Sequence, residues 1–531
     1  MPIIPLLLYA AALFAPAPAQ FDGPRPGVDV IRYEFHLTLS DHSNIVDGMA
    51  KVTVRFTDQP EAFYLDLVSR KTGDVGMEVA SVTLNDVPIR FEHEADKLWI
   101  HLTDDRVDSV ATFGIVYRGV PADGLIISRN RFGDRTFFAD NWPNRARHWI
   151  PTVDHPADKA FVDFVVTAPD QYQVVSNGRL LEETDVLPGL RVSHWSTTQV
   201  LPTKIMVIGV ARFAVQHLDR VNGVPLQTWV YPQARDEGFY DFAVAEQALR
   251  YFIQVLGPYP FSKLANVQST TRYGGMENAS AIFYNESSVT GTRRQESTVA
   301  HEIAHQWFGN SASESDWHDV WLSEGFATYL AHLYFEHYYG SRLLAERMAA
   351  DRETVIAFAK ANPMSSVVDT TITDPNRVLN ANSYEKGGWT LHMLRALLGD
   401  EVFWEALNTY YDTYRFGNAT TAEFREVVES VSGIDLGWFF EQWIYRPGVP
   451  ELDLAWRYEA RTGEVVADVR QRQPLAYQLM LELAVETGSQ KVLRSINVSE
   501  RQQSVRIRVP GEPTAIRFDP NVKLLARIEA R

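Results

Sequence analysis

The stretch HEIAHQWFGN, residues 301 to 310, sets two histidines four positions apart with a glutamate directly after the first. Residues 295–308 have helical character with Gly309 as terminator, and on a helix positions i and i+4 share a face. His301 and His305 can therefore reach one metal ion. Glu302 projects about a hundred degrees around the helix, beside the ion, where a general base for an activated water belongs. The bland alternative is a core helix with two satisfied histidines. Two imidazoles do not complete a catalytic zinc site, which takes three protein ligands and leaves one position for water. Eighteen residues (306–323) separate His305 from Glu324 in DVWLSEGFATYL. Apolar Val320, Trp321, Phe326, Ala327 and Leu330 would pack this second helix on the first and bring Glu324 to the ion. On spacing alone His318, Glu314 and Asp316 compete for the same role.

The chain contains no cysteine. Disulfides, a thiol nucleophile and thiolate ligands are excluded, so any metal must be held by His, Asp and Glu. A formal net charge of −17 offers no basic excess for phosphates, which argues against nucleic acid as partner. At 531 residues and 45% apolar composition, a packed chain of several domains is expected. Residues 3 to 15, IIPLLLYAAALFA, are too short an apolar run to span a membrane comfortably. With Ala17-Pro18-Ala19 behind them they read as a secretory signal, residues 1–19, cleaved before Gln20, although no Lys or Arg precedes them. The expected location is secreted or periplasmic, with no stable membrane span in the mature chain.

The elements that must carry the motif follow from hydrophobic period. From about 28 to 211 the chain alternates as strands do, at Tyr33, Phe35, Leu37 and Leu39, again at Val52, Val54 and Phe56, and in runs at 160–168, 173–176 and 203–210. Helical spacing takes over in DEGFYDFAVAEQALRYFIQVLG, which stops at Gly257-Pro258, and dominates to about 445. LANVQ, 264–268, is the exception and reads as a strand leading into TRYGGMENAS. After Arg446-Pro447-Gly448 alternation returns, enough for a small β-sandwich. The expected architecture is multidomain α+β: an all-β domain over 20–211, a mainly helical catalytic domain over 212–447 and a β-sandwich over 448–531.

HEIAH, WLSEGFA, the spacing between them and the upstream GGMEN together resemble the M1 family of zinc metallo-aminopeptidases, the aminopeptidase N and leukotriene hydrolase group of gluzincins. GPYPFSKLANVQ and PTVDHPADKAFVDF extend the likeness into the flanking regions. The resemblance implies a saddle-like N-terminal domain, a thermolysin-like catalytic domain, one Zn2+ held by His301, His305 and Glu324, and Glu302 as base. Ser323 stands before Glu324 where an asparagine is common.

Gly274-Gly275 allow the close backbone approach that an edge strand needs to pair with an extended peptide. The resemblance adds that Glu277 binds the free α-amine of a peptide, that Met276 lines the side-chain pocket, and that Gly274, Gly275 and Asn278 belong to the same substrate strand. It implies that Tyr384, opening YEKGG, stabilises the oxyanion; Lys386 beside it reads as structural. A second acceptor for the amine falls at Trp142, which cannot serve as one; Asp140 or Asn141 would substitute if the register slips. Asn278-Ala279-Ser280 matches a glycosylation pattern but would sit in the groove, so the match is read as spurious. An endopeptidase or epoxide hydrolase on the same scaffold, or a silent zinc-binding protein, are the competing readings.

Overall fold

The computed structural model describes residues 23–530 apart from 59, 72, 74, 103–108 and 489. The signal read in residues 1–19 lies outside the described residues. The alternating run at Tyr33 is the strand Val28–Thr38, central in a nine-stranded sheet. It runs parallel to Lys159–Pro169 and antiparallel to Val46–Phe56, which sends Tyr33, Phe35 and Leu37 into the core. A smaller sheet orders Gln173–Ser176, Ile208–Ala211, Arg135–Ala139 and Leu125–Arg129. Residues 203–210 are not one strand, as their alternation suggested. Thr203–Ile205 is a short 3-10 turn, because Asn141 Nδ2 takes the Thr203 and Met206 carbonyls and Thr203 Oγ1 donates to Asp154. With side chains satisfying those groups, no ladder is needed there.

Between Ala211 and Ala214 the chain leaves that sheet for a five-stranded one, ordered Ala214–Val221, Val224–Val230, Leu264–Ser269, Ala281–Asn285 and Gly275–Met276. Gly275–Met276 is its edge, paired antiparallel as Gly275 with Tyr284 and Met276 with Phe283. The single helix expected around 238–256 is two, Arg235–Phe242 and Val244–Leu256, each tied to a different neighbour. Asp241 accepts the backbone N–H groups of Thr290, Gly291 and Arg293, while the second helix buries Ala245, Ala248, Leu249 and Phe252. Helices Trp321–Tyr339, Ser341–Ala361, Gly387–Leu398, Asp400–Tyr414 and Thr421–Ser432 complete the domain.

From Glu451 onward a four-stranded and a three-stranded sheet close over Leu452, Leu454, Val465, Leu481 and Leu483 as a sandwich. That core is continuous with the helical domain, whereas the N-terminal sheets share a second core with the face of the catalytic domain that carries Val267, Met276, Phe283 and Trp317. The N-terminal domain docks through buried polar contacts. Lys204 pairs with Glu314, and Lys159 Nζ donates to the carbonyls of Ser311 at 2.9 Å and Gly417 at 2.5 Å. Asn177 Nδ2 donates to the Ala279 carbonyl at 2.7 Å. The loop after Arg135–Ala139, which carries Trp142, meets the catalytic domain where Asp140 accepts from Arg272 N and Arg145 donates to the Tyr273 hydroxyl. Among the described residues no helix is long and apolar enough to cross a membrane.

Candidate active site

His301 and His305 end the helix Glu296–Ala304, which is shorter than the 295–308 segment expected. It stops at His305 because the chain tightens, with Trp307 N on the Ala304 carbonyl and Asn310 N on that of His305. The two Nε2 atoms lie 3.0 Å apart. Glu324 Oε2, from the first turn of Trp321–Tyr339, stands 3.4 Å from Nε2 of His301 and 3.2 Å from that of His305. A tetrahedral zinc with bonds near 2.0–2.1 Å spaces its ligand atoms about 3.3 Å apart, so this triangle fits one face of such an ion. His305 is also oriented from behind: its Nδ1 lies 3.2 Å from the Phe308 carbonyl and 3.1 Å from Ser323 Oγ, leaving Nε2 free to ligate. Burial alone would lower His305, but Glu324 overrides it and holds the imidazole up at about 9. Burial would likewise raise Glu324, and the two histidines instead keep it well below the usual carboxylate range.

Glu302 turns from the same helix toward the edge strand, and burial pushes its carboxyl well above the ordinary value. Glu277 lies opposite, also raised by burial. Ligating atoms of Glu277, Glu302 and His305 all fall within 4.8 Å of one another. Glu277 is only 5% exposed, and its Oε1 has no hydrogen-bond partner. The turn that presents it is pinned from the histidine segment: Gln306 Nε2 and Asn310 Nδ2 donate to the Glu277 carbonyl at 2.8 and 2.7 Å. Gln306 Oε1 accepts from Ser280 N at 2.9 Å, and Lys263 Nζ donates to the Ser176 and Ser280 carbonyls.

Tyr384 lies in a widened helical turn, Asn382–Lys386, and its ring stacks on His301 with centroids 6.0 Å apart. The helix that follows is brought in close by Gly325 and Gly387: a Cβ on Gly325 would meet Gly387 Cα at 2.8 Å. Burial raises the Tyr384 phenol well above its ordinary value, so it stays protonated and able to donate. Lys386 Nζ donates to the carbonyls of Arg446 and Gly448, away from the cleft. The cleft, about 280 Å³, is lined by His301, His305 and Glu324 together with Gly275, Met276, Glu277, Glu302, Tyr384, Trp142, Tyr273 and Leu379.

Several expected roles are not found at the cleft. Glu314 is spent on Lys204, and Asp316 binds Nδ1 of His318, whose Nε2 meets the Ile372 carbonyl; none of the three approaches the histidine pair. Gly274 and Asn278 stand outside the cleft wall, Gly274 with its carbonyl accepting from Asn285 N and Asn278 fully buried. The proposed substitutes for an amine acceptor are also engaged. Asn141 donates to two carbonyls and accepts from Trp149 Nε1, while Asp140 accepts from Arg145 and from Arg272 N. Trp142 is the residue of that loop in the cleft. Sequence reading missed Gln306 and Asn310 as positioning residues; their signal was two amides placed directly after the histidine pair.

Residues 240–443 match the Peptidase family M1 domain, and residues 30–205 match the Peptidase M1 N-terminal domain. Probable aminopeptidase 2 of Sulfurisphaera tokodaii is 29% identical over 325 residues, covering 57% of this chain and 40% of its own. Tricorn protease-interacting factor F2 of Thermoplasma acidophilum is 27% identical over 407 residues, 72% of this chain and 49% of its own. Aminopeptidase N of Rattus norvegicus is 28% identical over 352 residues, 60% and 36% respectively. The chain thus spans about half the length, or less, of these relatives. Legionella pneumophila aminopeptidase A, solved in complex with aspartic acid, superposes with a TM-score of 0.83 at 18% identity, covering 96% of this chain and 60% of that one. The two family matches together cover most of the chain, from the N-terminal sheets through the helices that carry the three-donor cluster. The chain belongs to peptidase family M1.

Proposed function

We propose that this protein is a zinc-dependent aminopeptidase that removes residues from peptides with a free N-terminus. The observation that carries the reading is Glu277: a buried carboxylate with an unpartnered oxygen, one short step from the histidine pair. The cleft holds three buried carboxylates, Glu277, Glu302 and Glu324, and one divalent ion plus one ammonium would neutralise them. An internal peptide brings no ammonium and would leave Glu277 desolvated and unpaired, a penalty that selects against endopeptidase action.

Zinc held by His301, His305 and Glu324 would polarise the scissile carbonyl and make water acidic enough to attack. Glu302 takes the proton of that water and passes it to the leaving amine, a transfer suited to a carboxyl whose pKa is raised by burial. Tyr384 donates its O–H to the oxyanion developing at the carbonyl. Glu277 accepts from the α-ammonium and so sets the cut at one residue from the end. Gly275 and Met276, on the sheet edge, offer backbone groups to an extended substrate.

The test is hydrolysis of alanyl-p-nitroanilide against its N-acetyl derivative, with zinc removed by chelator and restored. The free amine should be preferred by about a thousandfold or more; equal rates would sink the exopeptidase reading. The apolar run at 3–15 and Ala17-Pro18-Ala19 support export to the periplasm or beyond. Amino-terminal sequencing of the exported chain should begin at Gln20.

A further inference from the structure

We propose that Trp142 is the second recognition element for the substrate's terminal nitrogen, and that it makes the site permissive to N-alkylated amines, such as an N-methylated amino terminus. The proposal rests on the exopeptidase reading above. A primary ammonium brings three N–H donors into a cleft whose polar acceptors are few. Of the three carboxylates lining the cleft, Glu324 faces the two histidines and Glu302 is the base, which leaves Glu277 for the amine, with Oε1 unpartnered. Asp140 and Asn141, the polar neighbours of Trp142, are both fully buried and committed to other groups.

Around Glu277 the wall is instead aromatic. Trp142, 2% exposed, is held edge-on to Tyr273 at 6.1 Å and to Trp317 at 5.6 Å between centroids. Arg145 donates to the Tyr273 hydroxyl at 3.2 Å, which fixes that ring in turn. An ion-pairing carboxylate among aromatic rings is the chemistry that holds alkylated ammonium groups, because a methyl on the nitrogen stays positive and packs on a π surface. A secondary N-methylammonium keeps two N–H donors, enough for the Glu277 carboxylate with its unpartnered Oε1, and its methyl packs better against an indole than against a polar acceptor that it would desolvate. Trp142 lines the same cleft as Glu277 and offers no acceptor that a methyl would displace.

The experiment compares alanyl-, N-methylalanyl- and N-acetylalanyl-p-nitroanilide on the zinc-loaded full chain, for the native protein, Trp142→Phe and Trp142→Gln. The expected result is a kcat/KM for the N-methyl substrate within about tenfold of the alanyl one, kept in Trp142→Phe and lowered at least about tenfold, relative to alanyl, in Trp142→Gln. A native ratio poorer than about tenfold overturns the proposal, as does a ratio unmoved by Trp142→Gln. Should Trp142→Gln fail to fold by circular dichroism, the native and Trp142→Phe ratios decide. Equal cleavage of the acetylated substrate would instead sink the exopeptidase reading itself, and it reads on a different substrate pair.

Discussion

Gly275 and Glu302 are in such close contact that a Cβ on Gly275 would lie 2.3 Å from Oε1 and 2.5 Å from Cδ of the glutamate. The edge strand and the carboxylate proposed to serve substrate and proton transfer therefore share one narrow slot. Of the two, the carboxylate is the part able to yield.

Gly275→Ala should accordingly displace Glu302 without unfolding the strand. A shift of about 1 Å in a catalytic group costs on the order of 10²-fold in rate. The check is kcat alongside bound zinc: turnover should fall while zinc content holds. Glu302→Gln provides the limit, a loss of about 10²–10⁴. Undiminished turnover in Glu302→Gln would remove Glu302 from the mechanism.

Tyr384 stacks on His301, and burial keeps its phenol protonated. Tyr384→Phe preserves the ring and deletes only the donor, so kcat should fall about 10²–10³-fold with KM little changed. A fall confined to KM would mean that the hydroxyl serves binding and not the oxyanion.

Ser323 Oγ lies 3.1 Å from Nδ1 of His305, which the Phe308 carbonyl also meets at 3.2 Å. Ser323→Ala should weaken zinc binding by about tenfold, the lower end for residues that orient a ligand. Zinc release to a competing chelator measures this without reference to turnover. Identical release curves would show that the Phe308 carbonyl alone suffices.

Asp158 accepts from Val30 N at 3.1 Å, and its Oδ2 is sealed from solvent although the residue as a whole is half-buried. Burial raises its pKa to about 7, against about 3.9 in an unfolded chain. The folded state therefore keeps a proton that the unfolded chain releases. The stability this contributes is complete below about pH 4 and is lost as pH rises through about 7. Asp158→Asn should flatten that decline, so its melting temperature falls less than the native protein's between pH 5 and 8. Parallel curves would place the pH dependence elsewhere.

The patterns legible in the sequence are those of short range. Strand alternation around Tyr33 and the HEIAH helix follow from the 2.0 and 3.6 periods of neighbouring residues, and WLSEGFA announces its own helix. Where side chains from afar satisfy the backbone, local pattern misled: Asn141 turns 203–206 away from a strand, and Asp241 helps divide the helix near 243. The sequence by itself therefore determined a histidine helix, the domain classes and, through likeness, a family. Spacing alone left Glu324, Glu314, Asp316 and His318 open, and only the resemblance favoured Glu324. The tertiary structure sets Glu324 beside the histidine pair, while Glu314 pairs with Lys204 and His318 meets Asp316 and the Ile372 carbonyl. It alone brought Glu277 beside Glu302, through amides of Gln306 and Asn310 that pin a turn some thirty residues away. It also showed why Trp142 meets the cleft while Asp140 and Asn141 do not: their polar groups bind the surrounding backbone and Arg145, leaving Trp142 as the residue of that loop that lines the cleft.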